Sequence, residues 1–427
     1  METKFCPARI VYTLLLWLLL PLVFARLALR SRRQPEYLQH VGERFGRYSM
    51  RSDKPVIWLH AVSVGETRAT ASLVAKLQEA YPGHQILLTH TTPTGRAAGE
   101  QLYGDSVLRA YLPYDYPFAV KRFFRHFRPR IGILMETEIW FNLINAGSDA
   151  GVPMLLLNAR MSEKSAKGYA RVKRLTQNAL RKLSAVAAQS QDDAARLSCL
   201  GARNVSVMGN LKFDIFPPLE MLKLGAWLRE QFGSMRKIFL LASTREGEEA
   251  LLLDAWLAQM HTPDVLLLIV PRHPQRFDEI EEMLKKLGFN YQRRSENKAV
   301  PAEIQVVLGD SMGEMFAYYA ACDLAFIGGS LLPFGGQNLI EACSVGKPVL
   351  IGQHTYNFGE ATRLAVEAGA AVRVSDAHEL MQTAMRILND DGARDAMGKQ
   401  GVMFVAAHQG ATDNAIQIIS EVLGSKA

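Results

Sequence analysis

The hydrophobic positions of this chain follow two different patterns. From Ile10 to Ala25 the run IVYTLLLWLLLPLVFA carries no charge, with Lys4 and Arg9 before it and Arg26, Arg30, Arg32 and Arg33 after it. A run of that kind must leave water, and its length is at the short end for a membrane-spanning helix and also fits a signal peptide. The arginines oppose export of the residues C-terminal to them, which favours an uncleaved anchor holding residues 1–35 at the membrane with the bulk of the chain on the cytoplasmic side. Pro21 and the same arginines also fit a helix lying among anionic headgroups.

After Gln34, short β-branched or aliphatic runs alternate with longer amphipathic stretches, the pattern of strand–helix repeats around a parallel sheet. The spacing predicts strands at 56–60, 85–89, 130–135, 153–157 and 185–189, and a second series at 237–242, 265–270, 305–308, 324–327 and 348–351. Phe216, Pro217 and Pro218 break the pattern between the series. The expected architecture is α/β: two doubly wound, Rossmann-like domains, 36–215 and 216–427, facing a cleft. The helices after about residue 377 are assigned to the second domain, with a return of one of them to the first left open. In open α/β sheets ligands sit at the carboxyl ends of strands, so chemistry is sought in the strand-to-helix turns.

Composition narrows the class. The chain has 427 residues, 48% hydrophobic and 21% charged, enough for roughly two or three domains with buried cores. A net charge of +7 suits an acidic surface or an anionic substrate and falls short of a dedicated nucleic-acid binder. Cys6, Cys199, Cys322 and Cys343 are scattered, without a CxxC pair, and read as buried thiols in a reducing compartment. No P-loop, no GxGxxG fingerprint and no metal-ligand spacing is present, so no metal or cofactor is predicted.

Seven segments carry candidate chemistry. In HAVSVGET, Glu66 at a helix start either answers the helix dipole or serves as a general base, and the helix terminus is expected to lower its pKa. METEIW places Glu136 at a strand tip and Glu138 as a capping acid for the next helix, and Lys212 in GNLKFD is a candidate partner for a carboxylate or phosphate. ASTREGEE offers Ser243, Thr244 and Arg245 before a helix, arranged to cap it or to donate to a phosphate. Pro271, Arg272 and His273 follow a strongly apolar strand, and DSMGEM joins another strand to a helix. GGSLLPFGGQNLIEA is the strongest local signal: two glycine pairs flank a loop, then Asn338 and Glu341 fall three apart on one helical face, where a carboxylate can hold a ribose diol.

Taken together, VSVGET, TPTGR, YLPYDYP, METEIW, NARMSEKSAKGYAR, GNLKFD, PRHPQRF, GDSMGEM, GGSLLPFGGQNLIEA and GQHTYNF resemble the 3-deoxy-D-manno-octulosonic acid (Kdo) transferases of lipid A and lipopolysaccharide synthesis. The resemblance implies a GT-B glycosyltransferase that moves Kdo from CMP-Kdo to a tetraacylated lipid A precursor, lipid IVA, with inversion, at the cytoplasmic face of the inner membrane. Its partners would be that donor, that acceptor and the membrane, with no nucleic acid. Carried onto matching positions, it makes Glu66 the general base, with Glu136 and Lys212 supporting the transition state. Pro271, Arg272, Met312, Gly313, Glu314, Asn338, Leu339, Ile340 and Glu341 would hold the CMP moiety, with Ser243 and Thr244 near its phosphate. Departures from the family pattern are Phe141, where proline is usual, and Gln337, Leu339 and Ile340, where His, Pro and Leu are common. Another GT-B enzyme with a different nucleotide sugar, and a non-catalytic membrane-associated binding protein, are the competing readings.

Overall fold

The structure, a computed structural model, describes residues 7–32, 34–258 and 264–424. Lys4, Cys6 and Arg33 lie outside the described residues. The chain forms two compact units: one runs up to Asp214 and resumes at Gln409, and the other is Ile215–His408.

In the first unit, β1 (Val56–His60), β2 (Gln85–His90), β3 (Leu108–Tyr111), β4 (Ile131–Met135), β5 (Met154–Ala159), β6 (Ala185–Ala188) and β7 (Val205–Val207) form one sheet in the order β3-β2-β1-β4-β5-β6-β7. In the second, β8 (Lys237–Thr244), β9 (Val265–Pro271), β10 (Tyr291–Arg293), β11 (Val306–Leu308), β12 (Leu324–Ile327), β13 (Val349–Ile351) and β14 (Ala371–Arg373) form another, β10-β11-β9-β8-β12-β13-β14. Every strand pair is parallel. Strand order reverses between β1 and β4 in one sheet and between β8 and β12 in the other, which opens a crevice at those carboxyl ends.

All ten predicted strands are present, and the four unpredicted ones, β3, β7, β10 and β14, are the four sheet edges. Central strands are covered on both faces and read as unbroken apolar runs, whereas edges are short and partly solvated, so LRAY, VSV, YQR and AVR carry no such signal.

The first sheet divides its side chains by alternation. Val56 and Trp58 of β1 join the cluster containing Phe123, Phe124 and Phe127, while Ile57 and Leu59 join the one containing Leu73 and Leu77. Trp58 donates its indole N–H to Thr89 Oγ1 at 2.8 Å. Its ring leaves no room on β4 for a side chain: a Cβ on Gly132 would lie 2.7 Å from Trp58 Cε3.

The apolar run of the N-terminus forms a helix, Pro7–Ser31, long and apolar enough to cross a membrane by length and composition. It lies lengthwise on the first unit. Ala8, Tyr12, Leu16, Leu20, Val23 and Leu27, a stripe at three- and four-residue steps, are partly or fully covered, while Val11, Leu14, Leu15, Leu18, Leu19 and Leu22 are exposed. Tyr12 donates to Asp115 Oδ2 at 2.9 Å, Tyr116 donates to the Leu16 carbonyl at 2.8 Å, and Phe24 stacks on Phe45 at 5.5 Å. Asp115 is buried and also accepts from the Asn142 and Leu143 N–H groups, at 2.9 and 2.7 Å, so one carboxylate fastens the N-terminal helix to the start of the helix Phe141–Asp149. Burial pushes Asp115 up to about 7.

The second domain, given as 216–427, ends at His408, and the return of one C-terminal helix to the first, left open by the sequence, takes place. The helices Ala377–Leu388 and Asp391–His408 complete the second unit, and the helix Ala411–Gly424 belongs to the first, with Ala411, Ala415 and Ile419 buried beside Leu73 and Leu77. Asp214, the last residue of the first crossing, accepts from the Gly410 N–H at 2.7 Å and from the Thr412 N–H, so both chain crossings are tied at one buried carboxylate. Asp214→Ala strands those two donors and is expected to cost about 1–3 kcal/mol, read as a lowered urea midpoint. An unchanged midpoint would show that the returning helix does not depend on this cap.

Candidate active site

At the reversal point of the first sheet, β1 leads through Ser63 into the helix Val64–Ala69. Ser63 caps that helix by accepting from the Glu66 N–H, and the Glu66 carboxylate reaches back to accept from the Val62 N–H at 2.8 Å and the Ser63 hydroxyl at 2.9 Å. The arrangement is a variant of the capping box, so the structural role of Glu66 is realised. Its pKa is nonetheless raised, by burial first and by the charge of Glu136 second, and these outweigh the hydrogen bonds. The expected lowering by the helix terminus is therefore overturned: removal from water is the larger effect here.

Glu136, immediately after β4, has φ +57°, a left-handed conformation that costs a non-glycine residue free energy and turns the side chain out of the strand's alternation. Its carboxylate lies 3.7 Å from Lys212 Nζ. Lys212 sits in a short 3-10 turn, Leu211–Phe213, fixed from two sides: Asn210 Oδ1 accepts from the Lys212 N–H and Asn158 Oδ1 from the Leu211 N–H, at 3.0 and 3.1 Å. The structure thus brings Glu66, Glu136 and Lys212, three residues far apart in sequence, to one carboxyl edge of one sheet.

Glu138 does not cap the next helix. That helix begins at Phe141 with no side-chain cap at Trp140, and Glu138 instead accepts the Trp140 indole N–H at 2.5 Å. Its other neighbour is His60. His60 Nδ1 is 3.0 Å from the Thr89 carbonyl, which can only accept, so Nε2 is the bare nitrogen; it faces Glu138 Oε2 at 3.9 Å and has no hydrogen-bond partner among the described residues. Burial pushes His60 down to about 3, leaving it neutral, and pushes Glu138 up to about 7, with Glu66 and Glu136 adding to the rise. The pair is not an ion pair at neutral pH.

In the second unit, β8 ends in a bulge. Ser243 has φ +55°, the register against β9 slips between Ala242 and Thr244, and the buried Thr244 hydroxyl has no partner among the described residues. A Cβ on Gly328 would lie 2.6 Å from Thr244 Cα, so the loop after β12 can pass this bulge only with glycine there. Glu248, fully buried, accepts from the Arg245, Gly329 and Leu331 N–H groups at 2.9, 2.6 and 3.0 Å and so ties the loops after β8 and β12 together.

Arg272, just past the buried Pro271, donates its N–H to the Thr244 carbonyl at 3.0 Å and its Nε–H to Gln337 Oε1 at 3.2 Å. Gln337, one of the departures from the family pattern, therefore orients the arginine. Asn338 precedes its helix, Ile340–Ser344: its Oδ1 accepts from the Ile340 N–H and its Nδ2 donates to Glu341 Oε1 at 3.0 Å. The expected shared helical face for Asn338 and Glu341 is replaced by a cap and a first-turn acid. Leu339 and Ile340 are fully buried, so their side chains offer a ligand nothing. After β11, Met312 is exposed, Gly313 has φ +84°, and Glu314 pairs with Arg294 at 3.4 Å. Of the cysteines, Cys322 and Cys343 are buried, with thiols pushed up to about 12, whereas Cys199 is exposed, contrary to expectation.

Three buried groups escaped the sequence reading. Glu248 was hidden in the acidic REGEE cluster, where nothing distinguishes a buried carboxylate from solvated ones. His60 was visible only as a strand's last residue. Asn158, with φ +51°, belongs to a residue type that tolerates the left-handed region, which is its one signal.

Residues 39–215 match the family model described as 3-deoxy-D-manno-octulosonic-acid transferase, and residues 252–402 match glycosyl transferases group 1. The chain is 44% identical to a 3-deoxy-D-manno-octulosonic acid transferase of Bordetella pertussis, over 97% of this chain and 99% of that one. It is 37% identical to the Haemophilus influenzae transferase of the same name, again over 97% and 99%. Among solved structures, a glycosyltransferase from Rickettsia africae matches 87% of this chain and 99% of its own, at 17% identity and TM-score 0.57. MurG of Acinetobacter baumannii matches 86% and 99%, at 14% identity and TM-score 0.55. These two show the fold alone, a GT-B-like pair of α/β units.

The titration of Glu138 has a measurable sign. Its pKa is raised in the folded state, so its contribution to stability is full below the ordinary carboxylate range and is lost as pH rises through about 7. Glu138→Gln, which keeps that position neutral, is expected to gain on the wild type by about 1–3 kcal/mol at pH 8 and to lose the advantage by pH 4, as measured by urea midpoints across that range. A constant difference would place the carboxylate's charge outside the folding equilibrium.

Proposed function

The chain belongs to the 3-deoxy-D-manno-octulosonic-acid transferase family, and on that premise we propose that it is an inverting enzyme moving Kdo from CMP-Kdo to lipid IVA at the cytoplasmic face of the inner membrane. The observation that carries this reading is the convergence of Glu66, Glu136 and Lys212 at the reversal point of the first sheet. In the reaction, the Glu66 carboxylate takes the proton of an acceptor sugar hydroxyl as that oxygen attacks the anomeric carbon of Kdo from the face opposite CMP. The new C–O bond forms while the bond to the phosphate breaks, so one displacement inverts the centre and CMP departs with the electron pair. A buried carboxylate with a raised pKa is a stronger base than one in water, which is what this step asks of Glu66. Glu136 fixes the Lys212 ammonium beside it, and that cation balances the negative charge that gathers as the reaction proceeds.

The second unit supplies the donor side. Arg272, oriented by Gln337, is a cation for the phosphate; the amides of the Ser243–Thr244 bulge and of the Met312–Glu314 turn are donors without charge; Asn338 and Glu341 remain for the ribose. Pro271, Leu339 and Ile340 shape this site through the backbone. A single departing phosphate needs less charge compensation than a nucleoside diphosphate, so arginine and amide donors suffice and no metal is invoked. The apolar N-terminal helix, with Arg26, Arg30 and Arg32 at its end, brings the enzyme to a lipid acceptor.

The test is mass spectrometry of the lipid after incubation of the detergent-solubilised protein with CMP-Kdo and lipid IVA. Increments of Kdo mass are expected, and none from a folded protein that binds CMP would overturn the reading. Glu66→Gln is expected to lower transfer by about 10²–10⁴-fold with CMP affinity unchanged. In the wild type, kcat/KM should fall on the acid side above the ordinary carboxylate range, because the raised Glu66 must be ionised to act. Arg272→Ala is expected instead to weaken CMP binding by about tenfold or more, measured by calorimetry.

A further inference from the structure

Beside the N-terminal helix the first unit carries a groove of about 750 Å³, walled by that helix on one side and by the helices Pro117–Phe127 and Phe141–Asp149 on the other. The volume falls within the roughly 300–1,000 Å³ of small-molecule sites. Leu14, Val120, Phe124 and Ala146 make its lining apolar. Arg9, Lys121, Arg125 and Arg128 stand around it, and among the described residues no ion pair engages Lys121, Arg125 or Arg128. The one acid of the lining, Asp149, is 3.7 Å from Lys182. An apolar trough edged by such cations is complementary to a molecule with a long hydrocarbon and a phosphate.

The helix that forms its wall limits where that molecule comes from. The covered stripe runs from Ala8 to Leu27, about 30 Å of helix and as long as the hydrocarbon core of a bilayer is thick. Docked along its whole length, the helix cannot cross that core without carrying Lys121, Arg122 and Arg125 into hydrocarbon with it. It therefore meets a membrane side-on, through the exposed Leu14, Leu18 and Leu22, and the groove opens beside that lipid-facing surface.

We propose that this groove is a binding site for one anionic glycerophospholipid of the bilayer, with an acyl chain along the N-terminal helix and the phosphate at Arg125 and Arg128. The proposal rests on the reading of this protein as a membrane-bound enzyme. It is distinct from the acceptor's place. Arg125 and Arg128 lie at the C-terminal end of the helix Pro117–Phe127, which in a parallel α/β unit is the amino-end side of the sheet, whereas Glu66, Glu136 and Lys212 are at the carboxyl edge. A sugar whose hydroxyl reaches Glu66 would have to extend about one strand length to bring a phosphate to Arg125 and Arg128.

The experiment is native mass spectrometry of the full chain in an uncharged detergent, titrated with phosphatidylglycerol or phosphatidylcholine. One phosphatidylglycerol is expected to be retained at least about tenfold more tightly than phosphatidylcholine, and Arg125→Ala combined with Arg128→Ala should remove that preference. Ala146→Trp, which fills the groove without touching a charge, should abolish retention of both lipids, and it reads independently should the double variant fail to fold. Equal retention of the two lipids, or phosphatidylglycerol binding unchanged in folded variants, would overturn the proposal. Stoichiometric displacement of phosphatidylglycerol by lipid IVA would overturn it in favour of the acceptor. Because the readout is bound lipid, Kdo transfer with no lipid retained defeats this proposal and leaves the assigned reaction standing.

Discussion

A parallel strand can be followed by its parallel neighbour only if the chain returns along the outside of the sheet, and in both units the return is made largely by helices that bury the sheet's two faces. Two consequences shape the molecule. Strands covered on both sides are apolar through their middles, which is why β1, β4, β5, β8, β9 and β12 hold polar side chains only at or next to their ends. All strands also end on the same edge, so polar residues displaced from the strands collect there. Glu66, Glu136, Lys212 and His60 gather at that edge in the first unit because of that constraint, and Thr244 ends a strand and Arg272 and Glu314 follow strand ends in the second for the same reason.

Collecting charged groups at a half-buried edge has an electrostatic consequence. Three carboxylates, Glu66, Glu136 and Glu138, share the first sheet's reversal point with the Lys212 ammonium. Removal from water and mutual repulsion raise Glu66 and Glu138, and Glu138 is raised far enough to hold its proton near neutral pH. That proton relieves the cluster of one negative charge, while the N–H and O–H groups at Glu66 keep that residue from rising as far. The two carboxylates thus differ in their surroundings: Glu66 is held by the Val62 N–H and the Ser63 hydroxyl, and Glu138 by the Trp140 indole N–H.

The attachment of the N-terminal helix follows the same logic of buried polar atoms. An apolar helix needs no partner in a membrane, yet this one is fixed to the first unit by Tyr12, Leu16 and Phe24, and its anchor point, Asp115, also holds the first N–H groups of the Phe141–Asp149 helix. That helix comes directly after the Glu136–Trp140 turn. The apolar N-terminal helix and the helix that follows the turn bearing Glu136 and Glu138 are therefore joined through one side chain.

The sequence by itself determined the central strands, the break at Phe216–Pro218, the apolar N-terminal helix and the family, because each is written in local composition: a strand buried on both faces is an apolar run, and motifs at strand ends stay together in the chain. What it could not contain are properties of surroundings. The edge strands LRAY, VSV, YQR and AVR become strands only because a neighbour offers a ladder to pair with. Glu66 and Glu138 acquire raised pKa values from groups many residues distant, and Glu248 is a buried brace in a stretch that reads as solvated acid. The return of the helix Ala411–Gly424 to the first unit was equally a tertiary decision, made by the apolar face that Ala411, Ala415 and Ile419 could bury there and by the two donors waiting for Asp214.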